Sequence, residues 1–189
     1  MLNSRFVKGF TLIEILVVIS IIGILSAILY ASFGEARTDS KNKALRVEMK
    51  EVQLALELFK AQNGRYPDVP PCGSVGMGES FALSTSPVCI TYGAYIASTT
   101  DFISDLPSHT KSANPNCVIE YRVDNANFSW YKLTAINCYG GATSAADGVQ
   151  PADELARCLS TCPAIGVCDS STAGFYESYA VYSSGGECR

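Results

Sequence analysis

Lys8-Gly9-Phe10-Thr11-Leu12-Ile13-Glu14, followed by an apolar run to Phe33, is the segment from which the architecture follows. Between Phe10 and Phe33 the one charged residue is Glu14. About 20 apolar residues span a bilayer, and Arg5 and Lys8 on the short N-terminal side keep that end in the cytoplasm. A conventional secretory signal fits the basic start, and Ser32-Phe33-Gly34 or Gly34-Glu35-Ala36 would serve as small-x-small sites. Its apolar region, however, usually has about 7–15 residues, fewer than here. A plain membrane helix fits the length but leaves Glu14 without a role. A carboxylate within such a helix costs on the order of 2.5–3.5 kcal/mol unless it reaches a partner or headgroup water.

The same seven residues resemble the processing site of type IV prepilins and type II secretion pseudopilins, and this reading accounts for every feature. The resemblance implies that a membrane-embedded prepilin peptidase cuts between Gly9 and Phe10. Phe10 then becomes the N-methylated first residue, and Glu14 is the family's carboxylate at the fifth position. Four helical residues rise about 6 Å, so Glu14 lies roughly one turn from the new amine. When subunits dock with an axial offset, the Phe10 amine of one can meet Glu14 of the next. Pairing removes the cost of a lone buried charge and penalises mis-stacked subunits.

Beyond Phe33 the chain becomes charged and periodic. Leu45, Met49, Val52, Leu56 and Phe59 recur at helical steps, with Leu54, Ala55 and Leu58 expected to widen the stripe. Lys41, Lys43, Arg46, Glu48, Lys50, Glu51, Glu57 and Lys60 read as a solvated face. No proline falls between Phe10 and Asn63, so one helix of about 54 residues and roughly 80 Å is predicted, ending at Gly64. Many type IV pilins carry a proline near the position of Ala31. Its absence here leaves Gly23 and Gly34 as expected points of bending. Asn63-Gly64-Arg65-Tyr66-Pro67 is similar to a segment after the first helix of many pseudopilins, with Tyr66 packing back on the stem.

The expected fold class is α+β. A long N-terminal helix, part apolar anchor and part amphipathic stem, packs on a small antiparallel sheet. The predicted divisions are a leader at 1–9, a membrane or filament-core helix at 10–34, a stem at 35–63, a connecting loop at 64–117 and a head of sheet and cysteine-rich region at 118–189. The loop is given one short helix around Thr99–Leu106. Residues 117–123 and 128–136 read as a hairpin across Asp124–Asn127, and Tyr176–Tyr182 as a third strand.

Eight cysteines, Cys72, Cys89, Cys117, Cys138, Cys158, Cys162, Cys168 and Cys188, all lie beyond the anchor. An even count after a membrane segment points to disulfides in an oxidising compartment. No C-x2-C pair exists, and His109 is the single histidine, so no metal site is expected. Connectivity stays open apart from Cys72 with Cys89, neighbours within one loop. The eight exceed the single pair common in pilins.

Catalysis is not expected. Ser108, His109 and Thr110 adjoin in sequence, which says nothing of nucleophile–base geometry. Asp101 and Asp105 read as capping or solvated residues rather than a calcium site. The chain carries 14 basic and 18 acidic side chains; losing Arg5 and Lys8 deepens the acidic excess. From Gly64 onward there are 6 basic and 12 acidic residues, which argues against general nucleic-acid binding. Trp130, Tyr131, Tyr176, Tyr179 and Tyr182 read as core and sheet packing rather than a base-stacking platform.

The expected function is therefore a structural subunit of a type IV pilus-like filament, without cofactor. The alternatives are a major pseudopilin of type II secretion and a monomeric, membrane-anchored extracytoplasmic binding domain. The resemblance implies as partners other copies, related pilins, the prepilin peptidase and an inner-membrane assembly platform. It also implies a single-pass precursor with its N-terminus inside and a filament outside the cytoplasm.

Overall fold

The computed structural model describes residues 10–92, 94–98, 101–142 and 144–189. One helix, α1 (Leu12–Asn63, 52 residues), is unbroken at Gly23 and at Gly34. The chain divides into two compact units, Met1–Arg37 and Thr38–Arg189. Gly64 ends α1 in the left-handed region, φ 73°, and its N–H donates to Lys60 O at 2.7 Å. That single bond is the cap a glycine makes without steric penalty.

The second unit holds a five-stranded antiparallel sheet in sequence order. Its strands are β1 (Ser74–Val75), β2 (Glu79–Leu83), β3 (Val118–Asp124), β4 (Tyr131–Ile136) and β5 (Tyr179–Tyr182), with short helices α2 (Pro87–Tyr92) and α3 (Ala173–Tyr176). The register aligns Ala82, Tyr121, Leu133 and Val181 across four strands, and alternation puts Phe81, Arg122, Lys132 and Tyr182 on the opposite face. Leu45, Met49, Val52 and Leu56 of α1 are buried in one cluster with Ile119, Tyr121, Tyr131, Leu133 and Val181. Burying each such side chain contributes about 1.5–3 kcal/mol. The expected stem-on-sheet arrangement is present.

Details differ from the sequence expectation. Ala55 joins the buried face at 3% exposure, but Leu54 (63%) and Leu58 (47%) do not. Two residues along a helix is a turn of about 200°, so Leu54 and Leu58 lie opposite Val52 and Leu56. The segment read as a connecting loop contains β1, β2 and α2. In β2 the core-facing positions are Ser80 and Ala82, both buried and small, which hides the alternation of large apolar residues. Residues 101–106 form turns and extended backbone rather than helix, while Thr99 and Thr100 lie outside the described residues. Pro107 disfavours helix at Leu106, and Phe102 packs edge-on against Phe59 at 5.8 Å. The hairpin is present as β3–β4, its turn held by Asp124, which accepts N–H bonds from Ala126, Asn127 and Ser129. The last strand starts at Tyr179 rather than Tyr176, because Tyr176 closes α3 and its carbonyl takes the Val149 N–H at 2.8 Å.

Tyr66 is buried, and its hydroxyl donates to Glu57 Oε1 on the stem at 2.9 Å. Burial pushes this phenol up to about 12. Four disulfides pair all eight cysteines: Cys72–Cys89, Cys117–Cys138, Cys158–Cys168 and Cys162–Cys188. The first is the pairing expected from proximity. The second joins the chain beside the start of β3 to the end of β4. The last two interlock around a small apolar cluster of Cys158, Cys168 and Phe175. A disulfide contributes typically about 2–4 kcal/mol, compensating for a thin core.

Asn42, 5% exposed on α1, fastens the loop after β4. Its Nδ2 donates to Gly140 O at 2.9 Å, and its Oδ1 accepts the Gly140 N–H at 3.0 Å. At Gly140 a Cβ would stand 2.4 Å from that of Ala113, so glycine is required by close approach. Asn42→Leu strands both Gly140 backbone groups away from water. We expect it to lower stability by about 2–4 kcal/mol in urea unfolding of the detergent-solubilised chain, whereas exposed Lys43→Ala changes it by less than about 0.5 kcal/mol.

Candidate functional site

Thr11 and Glu14 set the start of α1. The Thr11 N–H and Oγ1–H both donate to Glu14 Oε2 at 2.8 Å, and the Glu14 N–H donates back to Thr11 Oγ1 at 3.3 Å. This is a reciprocal capping box, in which two otherwise orphaned helix donors are satisfied. The acidic side chain also lies at the positive end of the helix dipole. The T-x-x-E spacing alone announces such a cap, and Thr11 therefore has a role that reading Glu14 as a charge partner omits. Both side-chain bonds fall on Oε2, which leaves Oε1 able to accept a further donor.

Behind this cap the helix is an apolar rod. From Leu12 to Leu29 each large apolar side chain is at least 49% exposed, and Phe10 and Phe33 are 84% and 71% exposed. Ser20 returns its hydroxyl to Leu16 O at 2.8 Å, so it adds no unsatisfied donor to the rod. By length and composition this stretch is sufficient to cross a membrane. Gly9, Arg5 and Lys8 lie outside the described residues. The structure thus brings together Thr11, Glu14 and the rod.

The other sequence candidates fall elsewhere. Ser108 Oγ lies 2.9 Å from Thr110 Oγ1 and accepts the Thr110 N–H, capping a short 3-10 turn. Ser108 is thereby a turn residue, and no bond between Ser108 and His109 occurs among the described residues. Asp101 and Asp105 are exposed. Tyr131 and Tyr179 are core residues, in ring contact with Tyr66 and Tyr139. No group of three metal-ligating side chains occurs among the described residues.

One charged cluster was not legible in the sequence. On the sheet face turned away from α1, Arg122 binds Glu79 Oε1 at 2.6 Å and both carboxylate oxygens of Glu120. Lys132 stands beside it, 1% exposed. Desolvation, followed by repulsion from Arg157 and Arg122, lowers the Lys132 ammonium from 10.5 to about 7.

A family model described as the prokaryotic N-terminal methylation motif matches residues 4–30. Over 61 residues the chain is 38% identical to the type IV major pilin protein PilA of Myxococcus xanthus (strain DK1622), covering 32% of this chain and 28% of that protein. Over 66 residues it is 35% identical to type II secretion system core protein G of Pseudomonas aeruginosa, covering 35% of this chain and 46% of that protein. The chain therefore spans less than half the length of either curated relative. No solved structure gives a significant match.

The cap and the buried amine each lead to a measurable outcome. Thr11→Ala removes the cap, at about 1 kcal/mol, so amide exchange over residues 12–15 in detergent should quicken about fivefold. For Lys132, the folded chain releases a proton near pH 7 that the unfolded chain keeps to about 10.4. Stability should therefore rise with pH across that window, by at most about 1.4 kcal/mol per unit. The buried tyrosines, all shifted upward, titrate above it. Lys132→Met should flatten the melting temperature between pH 7 and 9.5; an unchanged slope would show that another group sets it.

Proposed function

We propose that the chain is a structural subunit of a type IV pilus-like filament. This reading is supported by the N-terminal methylation motif matched at residues 4–30 and by likeness to a type IV pilin and a type II secretion core protein. The observation that carries this reading is a capped carboxylate, Glu14, at the head of an exposed apolar rod. In water that rod is untenable; in lipid it anchors a precursor, and among copies of itself it forms a filament core.

The precursor is held in the cytoplasmic membrane with Arg5 and Lys8 inside. Prepilin peptidase cuts between Gly9 and Phe10, and Phe10 is then N-methylated. An inner-membrane assembly platform extracts the subunit as its rod exchanges lipid for neighbouring rods. The incoming amine of Phe10 pairs with Glu14 of an adjacent copy, which sets the axial register. The acidic head, held together by its four disulfides, faces the outside of the filament. The protein acts by assembly rather than by catalysis and takes no cofactor. Likeness to a type II secretion core protein favours one second reading, a short periplasmic pseudopilus built by the same chemistry.

Glu14→Ala and Glu14→Gln precursors should be cut normally, yet yield filaments reduced by about tenfold or more, since an unpaired buried charge costs about 3–5 kcal/mol. N-terminal sequencing of the mature chain should begin at methylated Phe10. A start at Met1 or Glu35, or full polymerisation of Glu14→Ala, would sink the proposal. Electron microscopy of sheared cells separates a long pilus from a short pseudopilus.

A further inference from the structure

Lysine is almost never buried as deeply as Lys132 unless it is partnered. Its Nζ donates to Glu187 O at 3.2 Å and to Cys158 Sγ at 3.3 Å. Sulfur is a weak acceptor, so the carbonyl of Glu187 is the principal tie. Arg122 and Tyr182 flank Lys132 on the neighbouring strands, and the charges of Arg157, Glu120 and Glu187 also act on it. The amine is therefore sealed on one side by the sheet and on the other by Cys158 and by the segment that carries Glu187.

That segment is fastened by the next residue. Cys188 is bonded to Cys162, and this disulfide differs from the other three. Each of the others contains at least one buried cysteine: Cys89, both Cys117 and Cys138, and both Cys158 and Cys168. Cys188 is exposed and Cys162 half-buried. Access to sulfur governs thiol–disulfide exchange, so a reductant reaches Cys162–Cys188 first. The chain before it stays in place: Gly186 donates to Ser183 O at 3.0 Å, and a Cβ there would lie 2.2 Å from Tyr131 O. Opening the disulfide thus leaves residues 187–189 tied about a fixed Gly186 by local contacts, which can exchange for water. These are Gly185 N–H to Glu187 Oε2 at 2.5 Å, Arg189 N–H to Gly186 O at 3.2 Å and the Arg189 guanidinium over the Trp130 ring.

We propose that Cys162–Cys188 is a redox latch over the Lys132 amine, which becomes a modifiable surface group when a dithiol reductant opens it. In the step, one thiolate of the dithiol attacks a sulfur of the pair, and the S–S bond breaks. The second thiol then closes the reagent into a cyclic disulfide. Two electrons and two protons pass to Cys162 and Cys188, which become thiols. The inference is independent of which filament the chain builds.

The test uses the full chain in detergent, titrated with dithiothreitol, alkylated with iodoacetamide and acetylated with acetic anhydride at pH 8, then mapped by mass spectrometry. Cys162 and Cys188 should be alkylated first. Lys132 acetylation should rise by about tenfold or more in step with them, while the other six cysteines stay paired and exposed Lys43 is labelled throughout. A Cys162→Ser/Cys188→Ser variant should show the open-state labelling without reductant. If that variant does not fold, the titration of the native chain decides. The proposal fails if another disulfide opens first, or if Lys132 is labelled while the latch is closed. It also fails if Lys132 stays protected once the latch is open, or becomes reactive only when all disulfides are lost.

Discussion

Water rejects the large apolar side chains from Leu12 to Leu29, and among the described residues of the first unit nothing covers them. At about 25 cal/mol per Å² of apolar surface, such a rod has to be housed in lipid or against other rods. The remaining features are arranged around that constraint. The cap of Thr11 and Glu14 satisfies two of the donors that the start of the helix leaves open. In the assembly we propose, the carboxylate that completes the cap also distinguishes a correctly stepped neighbour from a slipped one. An apolar rod alone would favour association with little preference of register.

The stem past Arg37 uses the same helix for a different purpose. Its stripe of Leu45, Met49, Val52 and Leu56 completes the core that Ile119, Tyr121, Tyr131, Leu133 and Val181 of the sheet begin. Asn42 adds a directional tie where apolar packing ends. On the far side of the sheet no second long helix lies among the described residues. The cysteine-rich segment covers that face instead, and two interlocked disulfides hold it there. This cover is what allows Lys132, Arg122 and Glu120 to be withdrawn from water on a sheet face that would otherwise be a solvated exterior.

Much of this could be read along the chain. The rod, the stem stripe, the glycine stop and the β3–β4 hairpin are local patterns of period 3.6 or 2, bounded by turn residues. The T-x-x-E cap was equally local, though an acidic residue in an apolar run draws attention to charge first. Harder features had no local signature. Strand β2 turns Ser80 and Ala82 to the core, and such small residues do not stand out from loop composition. Helix α2 begins with Ser86-Pro87, a start signal easily taken for a turn. Residues 101–106 look helical in isolation, but Phe102 is needed against Phe59, and Pro107 follows.

By itself the sequence determined that the chain has an apolar helix with a single acid at its head, an amphipathic continuation, and eight cysteines confined to the residues beyond that helix. These are properties of composition and period, which survive without knowledge of any contact. Only the tertiary structure decided the three pairings beyond Cys72–Cys89, that Cys162–Cys188 is the accessible pair, that Leu54 and Leu58 face outward, and that Lys132 is sealed beneath Cys158 and Glu187. Each depends on residues far apart in sequence converging on one place, where burial and geometry, not residue type, set the chemistry.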